Sequence, residues 1–174
     1  GRTIGVYRSV LAEYPNQAKV WMSYGHALKT AGEQDESVAA YRKAIALTPS
    51  LGEAWWSLAN LKTFRFALEE IAAMRAQLAR TDLTVDDRFH FHFAIGKALE
   101  DGRVYAESFE HYAEGNRLRR SVIRYDAEET SEHVGRSKAL FTAEFFAARA
   151  GYGSSARDPI FIVGLPRSGS TLLE

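Results

Sequence analysis

Three kinds of bulky residue recur at one interval. Pro15 and Pro49, Trp21 and Trp55, and Tyr7 and Tyr41 are each 34 residues apart. A unit that short cannot bury its own apolar face, so such a chain is stable only when successive units stack. The spacing inside one interval fixes the type of unit. Trp21, Tyr24, Gly25 and Leu28 follow the i, i+3, i+4, i+7 pattern of one helix face, and Ser37, Tyr41 and Ala44 follow the same rule on a second helix. Gly32-Glu33 supplies the turn between them, and Pro49 stops the second helix because proline lacks the amide proton a helix interior needs. Small residues sit opposite large ones, with Gly25 placed for a close helix crossing. The pattern predicts an all-α fold of antiparallel helix pairs.

The residues Trp21, Tyr24, Gly25, Leu28, Ser37, Tyr41 and Pro49 resemble the signature of tetratricopeptide repeats. The resemblance implies a right-handed solenoid whose first helices line a concave groove. Residues 1–14 read as the second helix of an earlier repeat, carried by Ile4, Tyr7, Val10 and Leu11. Residues 51–80 form a degenerate repeat that keeps Trp55, Leu58, Ile71, Met74 and Leu78 but has Ala59 for glycine. A third repeat places Gly96, Leu99, Ser108, Tyr112 and Gly115 in register with the first, with His92 at the tryptophan position and Asp101-Gly102 at the turn. Its second helix is expected to run on through Arg117–Arg124. Asp126 with Glu129, and then Thr142, mark the starts of two more helices. The helical domain is expected over 1–149, with a Gly/Ser-rich linker over 150–158 and a different unit over 159–174.

Composition removes several classes of function. The formal net charge is +0, so nothing points to nucleic acid or an anionic membrane. There are no cysteines, which excludes disulfides, thiolate metal sites and cysteine nucleophiles and fits a cytoplasmic setting. No apolar run approaches the ~20 residues that span a bilayer. The histidines His26, His90, His92, His111 and His133 are scattered, and no metal site is expected among them.

The last stretch, PIFIVGLPRSGSTLLE, changes character. Ile160-Phe161-Ile162-Val163 predicts a short strand buried on both faces. It runs into Gly164, Pro166, Arg167, Ser168, Gly169, Ser170 and Thr171, and then Leu172-Leu173-Glu174 as a helix start. That order is the frame of a phosphate-cradling loop, with backbone amides, a helix N-terminus and hydroxyls turned to one anion. Ser170 stands where a nucleoside-triphosphate loop has its lysine, which argues against that use. A strand and loop alone form no working domain, so the sequence reads as a piece of a longer protein.

The same residues resemble the 5′-phosphosulfate loop of sulfotransferases that use PAPS (3′-phosphoadenosine 5′-phosphosulfate). The family form is PxSGTT, with Lys or Arg at x; Arg167 fits, and Ser170 replaces the usual threonine while keeping the hydroxyl. The resemblance implies PAPS as co-substrate and transfer of a sulfuryl group to a hydroxyl or amine acceptor, without a metal. It also places the general base and the 3′-phosphate site beyond Glu174.

For the repeats, the register assigns Lys19, Met22, His26 and Lys29 to the groove, then Trp56, Asn60 and Thr63, then His90, Phe93 and Lys97. Such a groove would take a peptide or protein acceptor. The basic cluster Arg117, Arg119, Arg120 and Arg124 reads as a solvated helix end, the alternative being a face turned to the anionic cofactor. Two functions follow: a sulfotransferase whose repeats bind the acceptor, or a non-catalytic repeat module that binds a protein.

Overall fold

In the computed structural model, residues 2–153 are described, and they form two compact units that divide between Arg124 and Tyr125. The described residues contain nine α-helices and no strand. The first unit holds α1 (Arg2–Glu13), α2 (Ala18–Ala31), α3 (Gln34–Leu47), α4 (Gly52–Ala59), α5 (Leu68–Leu78), α6 (Val85–Asp101) and α7 (Tyr105–Val122). The all-helical architecture and the order of helices fit a stack of tetratricopeptide-type pairs. The expected strand and loop at 159–174 lie outside the described residues.

Two bonds explain why the signature residues recur together. Trp21 Nε1 donates to the Pro15 carbonyl at 2.7 Å, and Trp55 Nε1 donates to the Pro49 carbonyl at 3.0 Å. The proline ends one helix, and its carbonyl, left without a helical donor, takes the indole of the next. A second pair spans repeats one and three. Ser37 Oγ donates to the Gly25 carbonyl at 2.9 Å, and Ser108 Oγ donates to the Gly96 carbonyl at 2.7 Å, both buried. Each glycine therefore sits at a tight crossing. A Cβ on Gly25 would lie 2.6 Å from the Tyr41 ring, and one on Gly96 would lie 3.1 Å from the Tyr112 ring.

The turns follow the same register. Gly32 adopts a left-handed φ of 85°, and Glu33 N–H reaches back to the Leu28 carbonyl at 3.0 Å. In the third repeat Gly102 keeps an ordinary φ of −80°, and Arg103 takes the left-handed position at 61°. Val104 N–H then bonds the Leu99 carbonyl at 2.8 Å, so the closure is the same and only the residue in it differs.

The core is built between repeats rather than inside one. Leu11, Tyr24, Leu28 and Ala40 join α1 to the first repeat. Met22, Tyr41, Ala44, Leu51, Ala54 and Leu58 join the first repeat to the second. Trp55, Met74, Phe91, Ile95 and Leu99 join the second to the third. Val10, expected on the apolar stripe of α1, is exposed; Ile4, Tyr7 and Leu11 carry that stripe instead.

The second repeat departs from a regular pair. Its first helix stops at Ala59, and α4 packs against α3 and α6 while α5 packs against α6. The cause lies in residues 61–66. Leu61 is buried, and Phe64 and Phe66 meet edge to face at 4.9 Å, with Phe66 tilted against Trp55 at 6.1 Å. The second unit holds α8 (Ala127–Leu140) and α9 (Ala143–Ala147), capped as expected by Asp126 and Thr142. Val134 and Leu140 on α8 are exposed, while Phe141, Phe145 and Phe146 gather at its end.

Candidate functional site

The first helices α2, α4 and α6 carry the positions expected to line a groove, apart from Thr63. Lys19 and Lys29 are exposed on α2, and His26 is exposed on one side while its ring packs on Tyr41 on the other. Met22, expected beside them, is only 7% exposed and packs in the core with Tyr41, Ala44 and Ala54, so it offers nothing to a ligand. The register alone could not separate it from Trp56 and Phe93, which share its place in the repeat. Those two remain half-buried and face each other at 5.6 Å. Asn60 is the exposed C-cap of α4, and Thr63 lies in the following loop, where its hydroxyl donates to Gln34 Oε1 at 2.9 Å. Lys97 is half-buried and ion-paired with Asp101, which also faces Arg65 at 3.4 Å.

A cavity of about 380 Å³ opens beside the Trp56–Phe93 pair, lined also by Phe89, His90, Tyr112 and Arg119. Three of these lie outside the set expected from sequence. Phe89 and Phe93 are one helical turn apart on α6, their rings 6.0 Å from each other. Arg119 is exposed in the last turn of α7, as expected of a solvated helix end, and its guanidinium also lies 4.9 Å over the Phe89 ring. Seven residues separate Tyr112 and Arg119, two turns of α7, and that spacing was the available signal. A larger cavity, about 460 Å³, lies between α1 and α2, lined by Ile4, Tyr7, Ala27 and Ala31 together with Arg2, Ser23, His26 and Thr30.

Glu53 on α4 acts on both His26 and His90. It occupies the same place in its repeat as Lys19 and His90, and it favours the protonated forms of both His26 and His90. Burial acts in the opposite direction and is the larger effect, so both imidazoles titrate below the ordinary histidine range. Asp86 and Asp87 add to the pull of Glu53 on His90, whereas Lys29 opposes protonation of His26. The Tyr41 hydroxyl meets His26 Nδ1 at 2.8 Å, and burial raises the Tyr41 phenol above its usual value. Tyr112 is raised by burial and then by its 2.8 Å bond to Glu100.

Among the described residues, no group of three or more His, Cys, Asp or Glu is arranged to hold a metal ion, and no helix is long and apolar enough to cross a membrane. Gly164, Pro166, Arg167, Ser168, Gly169, Ser170 and Thr171 lie outside the described residues.

The relationship to known proteins agrees with this architecture. Residues 25–62 match a family model described as TPR repeat. Over 167 residues the chain is 28% identical to an uncharacterized protein of Aquifex aeolicus, covering 96% of this chain and 22% of that protein. Over 75 residues it is 33% identical to a peroxisomal targeting signal receptor of Kluyveromyces lactis, covering 41% of this chain and 13% of that receptor. The chain thus spans about a fifth or less of the length of these relatives. Residues 25–62 thus carry a match to the tetratricopeptide repeat, and the helix pairs around them fit that unit.

Proposed function

We propose that the concave face of α2, α4 and α6 binds an extended segment of a partner or acceptor protein. The observation that carries this reading is the Trp56–Phe93 wall. Two large aromatic rings stand half-exposed on the face where the core-forming Met22 of the first repeat is buried. Aromatic anchors flanked by polar groups are what concentrate binding energy at protein interfaces. Lys19, His26, Asn60 and Lys97 rim the groove with hydrogen-bonding groups that fix register. The similarity to a protein named as a receptor for a targeting signal supports recognition of short segments. Phage-displayed peptides selected on the chain test it. Selected peptides should lose at least tenfold in affinity to Trp56→Ala or Phe93→Ala and none to Phe146→Ala in the second unit. Equal loss in all three, or in none, refutes the groove.

A second reading is favoured by the sequence PIFIVGLPRSGSTLLE. In it the full-length protein is a cytoplasmic sulfotransferase that takes PAPS and delivers a sulfuryl group to a hydroxyl or amine acceptor presented by the repeats. Gly164 to Thr171 would cradle the 5′-phosphate, with Arg167 supplying a charge that does not depend on pH near neutrality. Binding of adenosine 3′,5′-bisphosphate to the full-length protein is the test. No binding leaves the repeat-module reading standing alone.

A further inference from the structure

The third repeat lacks the tryptophan–proline bond of the first two. His92 stands at the tryptophan position on α6, and it meets His111 of α7 with Nδ1 to Nδ1 at 3.1 Å and ring centroids 5.1 Å apart. Sequence reading passed over this pair because the two residues lie on different helices, 19 positions apart. A cavity of about 280 Å³ opens on them, and its lining is His92, Glu107, Glu110, His111 and Glu114. Every lining side chain is of a type that ligates metal ions.

We propose that His92 and His111 form a two-histidine site for a divalent transition metal ion such as zinc, with solvent completing the coordination. Two nitrogens 3.1 Å apart, each about 2.0–2.1 Å from a zinc ion, subtend roughly 98° at the metal, near the tetrahedral angle. A lone pair aimed along the line between the two nitrogens must swing by roughly 40° to point at that ion, so binding requires both rings to turn. In the metal-free pair one Nδ1 donates the proton on the line between the rings and the other accepts it. On binding, that proton moves to Nε2 of the same ring, as in the other tautomer, and both Nδ1 lone pairs face the metal with no net proton released.

Burial keeps both imidazoles below the ordinary histidine range, so both are neutral near pH 7, the form that ligates metal. The carboxylates supply negative field rather than a third ligand. Glu107 is engaged by Arg75, and Glu114 takes the Arg117 fork at 2.6 and 2.7 Å. Glu110 belongs to no ion pair among the described residues. Arg75, Arg88 and Arg117 oppose a cation and set a limit on affinity. A bound ion would tie α6 to α7 where the third repeat has no tryptophan–proline bond.

The test uses the untagged chain titrated with zinc chloride, read by calorimetry, thermal unfolding and the NMR signals of the histidine rings. The expected result is saturable one-to-one binding, a midpoint that rises with zinc, and ring shifts confined to His92 and His111. His92→Ala and His111→Ala should each weaken binding at least tenfold, and His26→Ala and His133→Ala should not. The ring shifts decide the matter if an alanine variant fails to fold. Absence of saturable binding, shifts centred on other histidines, or unchanged binding in both folded variants overturns the proposal.

Discussion

Gly52 is the position where a single methyl group tests the packing most severely. A Cβ there would lie 2.3 Å from the Asp87 carbonyl oxygen, a backbone atom that cannot rotate away. The same residue donates its N–H to Asp87 Oδ1 at 2.9 Å, so α4 and α6 are held at their N-termini by one contact in which the methyl has no room. Gly52→Ala must push the two helices apart. That weakens a hydrogen bond to a charged group, a contribution of about 1.5–3 kcal/mol. It adds overpacking of about 1–3 kcal/mol. Alanine returns roughly 0.5–1 kcal/mol as the better helix former. The expected net loss is about 2–5 kcal/mol, or a thermal midpoint lower by roughly 6–25 °C in a unit of this size. Circular dichroism melts of Gly52→Ala beside Gly96→Ala and Gly5→Ala supply the comparison. At Gly96 the nearest atoms are the Tyr112 ring at 3.1 Å, and the loss should be smaller. At Gly5 nothing lies within 4 Å, and alanine should stabilise α1 by a few tenths to about 1 kcal/mol. A midpoint for Gly52→Ala equal to or above wild type would show that α4 and α6 do not meet as described.

Arg103→Gly should raise stability by roughly 0.5–1 kcal/mol in a denaturant melt, because it removes a left-handed non-glycine residue from the turn where Gly32 stands in the first repeat. Acid should weaken the first unit. His26, His90, His92 and His111 are each harder to protonate folded than unfolded, burial being the main cause. The unfolded chain therefore binds more protons below about pH 6.5, and stability, complete above that value, falls as pH drops through the lower folded values. Urea midpoints that stay flat between pH 7 and 5 would contradict this. On the sulfotransferase reading proposed above, Arg167→Ala in the full-length protein should lower turnover with PAPS on the order of 10²-fold, by analogy with deleting one oxyanion donor, with a smaller effect on nucleotide affinity. Full activity in that variant would remove the loop from the mechanism.

The repeat was legible in the sequence because its signature residues act locally. Trp21 and Trp55 each reach a proline carbonyl six residues back, and Gly25 and Gly96 each receive a serine hydroxyl from twelve residues on. Contacts of fixed short range leave a fixed period, and the period gave the helix pairs, their order and the crossing glycines. The groove was legible only as a set of positions. Met22, Trp56 and Phe93 share one place in the repeat, and only the stacking of α4 on the first repeat buries the first while leaving the other two half-open. The early stop of α4, the tight seat of Gly52, the turn of Arg119 onto Phe89 and the meeting of His92 with His111 were decided by tertiary packing. Each joins side chains from different helices or repeats, and no periodicity encodes which of two exposed faces a neighbour will cover.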